Sequence, residues 1–133
     1  MQPKITLKQK KIKLWKDKYH VVVRLYNTVK ELQKEVKDKT VAGMYRPEPY
    51  IIYPKLKIPL KFGTIYLAKE RLGVGYITHE VLHCIIDYGH KVVSGNLDSL
   101  DYDDAETQEK LCIEQGHITK EICNWLNDNK LWD

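Results

Sequence analysis

A chain of 133 residues is long enough for one hydrophobic core and too short for two. Its hydrophobic share of 43% and charged share of 30% exclude a disordered chain, and no apolar run nears the ~20 residues that span a bilayer. The net charge is +4 but unevenly placed: residues 1–18 hold seven lysines against Asp17 alone, whereas residues 98–109 hold six acids and no base. A lysine run of this kind reads first as a solvated strand face or a frayed terminus, and second as an arm for nucleic acid.

Taken in chain order, Ile12 and Leu14, then Val21, Val23 and Leu25, alternate with polar positions around Lys16-Asp17-Lys18, which predicts a β-hairpin. Thr28 reads as an N-cap with Glu31 completing a capping box, opening a short amphipathic helix that runs to about Lys39. Residues 46–59 contain Pro47, Pro49, Pro54 and Pro59; proline cannot donate to a sheet ladder, so this stretch is an extended loop or an edge. Residues 63–68 have strand composition. Residues 76–88 read as a helix ended by Gly89, residues 97–104 as an acidic loop, and residues 105–127 as a second long helix weakened at Gly116. Strands with a short helix, another strand and two long helices make an α+β pattern in a single domain spanning 1–133.

The predicted helix at 76–88 contains His79-Glu80-Val81-Leu82-His83, an H-E-x-x-H sequence. Residues i and i+4 lie one turn apart on one helix face, so both imidazoles reach a single metal ion. Glu80 is rotated about 100° from His79, which aims it at water on the metal rather than at the metal itself. Neutral imidazoles suit zinc, and zinc acidifies water enough for Glu80 to act as its general base. The bland alternative is a pair of surface histidines flanking an ordinary glutamate.

A catalytic zinc site needs a third protein ligand and an open position. The continuation H-E-x-x-H-x-x-G-x-x-H fails, because Ile86 and Gly89 stand where its glycine and histidine belong, and His90 falls one position late. On the last helix, Glu109 shares a stripe of small residues with Ala105, Cys112, Gly116 and Cys123. A carboxylate on a core-facing stripe requires a partner, which makes Glu109 the leading third ligand ahead of Glu106, Glu114 and His117. For the oxyanion of a tetrahedral intermediate, Tyr76, Tyr88, Tyr102 and His117 are all available, and spacing does not choose among them. Cys84, Cys112 and Cys123 lack C-x-x-C spacing and read as buried, reduced thiols of a cytoplasmic protein; the start of the chain has no apolar signal-peptide core. Trp15, Trp125 and Trp132 read as packing residues.

Gly63-Thr-Ile-Tyr-Leu, the run from Tyr76 to His83, and Glu109-Lys-Leu-Cys112 together resemble the gluzincin-type zinc peptidases. Among these, they are similar to the compact phage and mobile-element proteins related to the ImmA/IrrE metallopeptidases. Cys112 stands where that family usually has alanine. The resemblance implies zinc held by His79, His83 and Glu109, with Glu80 as base. It also implies a zincin-like fold in which an edge strand beside the active helix receives an extended protein or peptide substrate. Gly63, Thr64, Ile65 and Tyr66 are the expected edge residues. Two rivals stand beside this peptidase reading: a non-catalytic zinc domain that binds a partner, and a nucleic-acid module built on the lysine-rich start of the chain.

Overall fold

In the computed structural model the described residues are 7–14, 19–48, 60–89 and 105–131. The Lys16–Lys18 turn, most of the proline-rich stretch, His90, the acidic loop with Tyr102, Trp15 and Trp132 lie outside them. Strands β1 (Leu7–Leu14) and β2 (Tyr19–Tyr26) form the expected antiparallel hairpin pair, with Ile12 facing Val21. Helix α1 (Val29–Val36) follows, then β3 (Gly43–Pro47), β4 (Leu60–Ala68), a short 3-10 turn (Lys69–Arg71), α2 (Val74–Tyr88) and α3 (Ala105–Asp128). The sheet order is β1-β2-β4-β3, with β2 and β4 parallel and the outer pairs antiparallel. The architecture is therefore α+β, a four-stranded mixed sheet with three α-helices among the described residues. None of the described helices is long and apolar enough to cross a membrane.

The main core lies on one face of this sheet. Ile12 and Leu14, then Val21, Val23 and Leu25, alternate inward along the hairpin. Phe62 and Ile65 of β4 both enter the same core although they are three positions apart. A bulge opposite His20/Val21 inserts the extra residue that allows this. Helix α2 contributes Ile77, Val81, Cys84, Ile85 and Tyr88 at helical spacing, and α3 contributes Ile118, Ile122 and Leu126. On the other face, α1 sets Leu32 and Val36 against Tyr26, Tyr66 and Ala68.

Thr28 caps α1 as the sequence suggests, its hydroxyl accepting from the Glu31 N–H at 3.1 Å. The helix stops at Val36 rather than near Lys39, because Lys37 turns left-handed (φ 59°). The Asp38 N–H then reaches back to the Gln33 carbonyl at 3.1 Å, closing the end.

Two expectations about surfaces are corrected. Residues 63–68 do form a strand, but β4 is an interior strand, bonded to β2 on one side and β3 on the other. With both ladders used and Gly63, Thr64, Ile65 and Tyr66 all buried, no peptide can add to it. Among the described residues, the outer strand beside α2 is β3, of which the sequence marks only the part from residue 46 onward as loop or edge. On α3 the small-residue stripe faces outward: Ala105, Glu109, Cys112 and Gly116 are exposed, and the core side runs through Leu111, Ile118, Ile122 and Leu126. Branched apolar side chains remove more surface from water than alanine, glycine or cysteine can, and they decide which face turns inward. Cys84 is accordingly the one fully buried thiol, with Cys123 half-buried and Cys112 exposed, and no disulfide joins them.

Candidate metal centre

Helix α2 begins after an extended Gly73, and its core-facing stripe runs through Ile77, Glu80, Val81, Cys84, Ile85 and Tyr88. Glu80 therefore sits on the buried side of the helix at 4% exposure, while His79 and His83 occupy the adjoining exposed flank. A carboxylate costs several kcal/mol to strip of water without a partner, so its presence on a core stripe is itself a signal of function. Burial pushes the Glu80 carboxyl above the ordinary carboxylate range; positive charge on His79 and His83 opposes that shift.

The two imidazoles approach edge to face, with their Nε2 atoms 3.3 Å apart. Two nitrogens bound tetrahedrally to one zinc at about 2.05 Å stand about 3.35 Å apart. The side chains thus already hold the spacing of a shared ion. One ligand atom from each of His79, Glu80 and His83 fits within a 4.8 Å group, and this is the one such group among the described residues. The donor set, two imidazoles and a carboxylate, fits a transition metal rather than magnesium or calcium.

Glu109, the expected third ligand, is exposed on α3 and is not part of that group. Glu106 is also exposed and pairs with Lys110 at 3.3 Å. Glu114 is half-buried on α3, where its charge acts on the Tyr88 hydroxyl. His117 is committed elsewhere, its Nε2 donating to the Lys13 carbonyl of β1 at 2.9 Å.

A cleft of about 520 Å³ runs past the group between α2 and the chain entering β3, lined by Thr40, Val41, Ala42, Gly43, Gly75, Tyr76, His79 and Glu80. It adjoins a smaller hollow of about 260 Å³ that adds Met44, Tyr45 and His83. Of the four oxyanion candidates, Tyr76 lines this cleft; Tyr88 is buried in the core and burial holds its hydroxyl protonated well above the usual phenol range.

Residues 41–45 were missed as part of the site, and they form its second wall. Gly43 is placed so that a Cβ would come within 3.1 Å of Glu80 Oε2. Tyr45 crosses β4 and donates its hydroxyl to Asp87 Oδ2 at 2.6 Å. Burial, the Cys84 thiol and the Asp87 carboxylate together keep that hydroxyl protonated far above the usual phenol range. Two glycines in or next to strand-forming runs, Gly43 and Gly63, were the available signal, since such glycines mark close approach of another group.

Compared with protein-family models, with curated proteins and with solved structures, the chain has no match.

Proposed function

We propose that this chain is a zinc-dependent peptidase of zincin type that hydrolyses a peptide bond in a protein substrate. The observation that carries the reading is the 3.3 Å spacing of the His79 and His83 Nε2 atoms with the Glu80 carboxylate buried beside them. Zinc in that position supplies a Lewis acid for the scissile carbonyl and acidifies water. Glu80 accepts the proton of the attacking water and delivers it to the leaving amine. Its burial strengthens its hold on a proton, which favours the first transfer, and the second follows because an amine is far more basic. Tyr76, on the cleft wall one turn before Glu80, is the residue placed to donate to the developing oxyanion. The open edge of β3 receives the substrate as an added strand, the role that β4 is barred from. Glu109 is kept as the proposed third protein ligand on the resemblance alone, since it stands outside the His79–Glu80–His83 group.

Metal content by mass spectrometry, on protein purified without a histidine tag or added metal, tests this directly. The expected result is about one zinc per chain in the wild type, none in His79→Ala, and full occupancy in Glu80→Gln with loss of proteolysis. A wild type that takes up no zinc even when it is offered would refute the metal centre. A Glu80→Gln protein that keeps its function would leave a metal domain without catalysis.

A further inference from the structure

His79, Glu80 and His83 all have a part in the proposed chemistry, whereas the bond between Tyr45 and Asp87, which joins β3 to α2, has none. Tyr45 lies where most residues at position 63 would forbid it. A Cβ on Gly63 would stand 2.4 Å from the Tyr45 hydroxyl oxygen and 2.7 Å from ring atoms Cε1 and Cζ. The ring therefore rests on bare backbone of β4, and that seat carries its hydroxyl to Asp87 Oδ2. Asp87 is one helical turn beyond His83 on α2. Gly43, two residues before Tyr45 on the same face of β3, meets Glu80. The middle of a short strand is thus tied to α2, while its first residue, about 7 Å back along it, borders the proposed general base.

We propose that Tyr45 is a positioning residue: its hydroxyl bond to Asp87, seated on Gly63, sets the distance between the β3 edge and Glu80, and with it the fit of an extended peptide in the cleft. This rests on the peptidase reading. The phenol hydroxyl goes to Asp87. It acts through the strand, whose ladder among the described residues is with β4 on one side only. Arg46, one residue on, steadies the opposite face by donating to the Val36 carbonyl at 3.0 Å and lying 5.7 Å over the Tyr66 ring. That leaves rotation about the β4 ladder as the motion the Tyr45–Asp87 bond restrains.

The test compares two zinc-binding probes on zinc-loaded full-length protein. Acetohydroxamate carries the metal-binding group alone. A tripeptide hydroxamate adds a backbone able to pair with β3. Tyr45→Phe keeps the ring on Gly63 and removes the bond; Asp87→Asn keeps an oxygen acceptor and loses the charge. The expected result for Tyr45→Phe is about tenfold weaker binding of the tripeptide hydroxamate with acetohydroxamate unchanged, and a smaller loss for Asp87→Asn. In the metal-free protein, the amides of β3 should exchange faster in Tyr45→Phe while those of β1 do not change. A merely structural role would lower melting temperature without separating the two probes. Equal losses for both probes, or none for either, would overturn the proposal. If the wild type binds zinc but neither probe, the peptidase reading itself falls, an outcome that differs from a latch that does not matter.

Discussion

Gly63→Ala is the substitution whose cost follows most directly from the geometry. The new methyl group would lie 2.4 Å from the Tyr45 hydroxyl oxygen, so the ring must withdraw by about 1 Å to reach van der Waals contact. A shift of that size stretches the 2.6 Å bond to Asp87 beyond hydrogen-bond range. A bond to a charged acceptor is worth about 1.5 kcal/mol at the lower end of its range, the end suited to a half-buried pair. Displacing the ring adds roughly another 1.5 kcal/mol, within the usual cost of overpacking. Gly63→Ala should therefore destabilise by about 3 kcal/mol and Tyr45→Phe by about 1.5 kcal/mol. The double variant should cost about 3 rather than 4.5 kcal/mol, because the alanine has already broken the bond. Urea unfolding of the four proteins in a chelating buffer at neutral pH, followed by circular dichroism, measures the cycle without any contribution from metal. Additivity to within about 0.5 kcal/mol would refute the argument that the glycine exists to seat the tyrosine.

Glu109→Ala should leave the stability of the metal-free protein within about 0.5 kcal/mol of wild type, since the side chain is exposed, and should lower zinc content if the carboxylate is the third ligand. Unchanged zinc content alongside loss in His79→Ala would remove Glu109 from the ligand set. At high pH, tyrosines provide a separate check. Burial pushes the Tyr45 and Tyr88 hydroxyls well above the usual phenol value of about 10, so the folded state binds protons that the unfolded state releases, and stability must fall as pH rises past about 10. Tyrosinate absorbance and circular dichroism recorded together should show part of the nine tyrosines ionising only as the chain unfolds. Full ionisation with the fold intact would contradict the burial assigned to these two rings.

Local signals in the sequence were legible because each rests on a short-range rule. Alternation marked β1 and β2 as a hairpin, Thr28 fitted an N-cap, and the i, i+4 spacing put the two histidines on a common face. Which strand lies at an edge is a different kind of fact. Residues 63–68 look alike as an edge or an interior strand, and only pairing with β2 and β3 decides between them. The face of α3 was misjudged for a related reason. A stripe of small residues seemed a place for close packing, but Ile118, Ile122 and Leu126 offered more apolar area one step around the helix. Residues 41–45 carry no obvious catalytic signal, because valine, alanine, glycine, methionine and a lone tyrosine announce no catalytic chemistry. Their part comes wholly from lying across from Glu80.

The two outer strands of the sheet, as the described residues form it, differ in a way that bears on the lysines of β1. β1 carries Lys8, Lys10, Lys11 and Lys13 along one outer edge, and His117 covers the Lys13 carbonyl there. Lysines on an edge strand discourage pairing with another chain, because each new strand would have to strip water from them. β3, the other outer strand, has only Arg46 among its five residues, and that guanidinium is turned to Val36 and Tyr66. Pro47 closes the far end of the ladder, where it can donate no bond. One edge is thus defended along its length and the other is left able to pair beside Glu80. Lys8, Lys10, Lys11 and Lys13 thereby acquire a structural reason without nucleic acid, and the less defended edge lies on the side of the sheet where the proposed function puts a peptide.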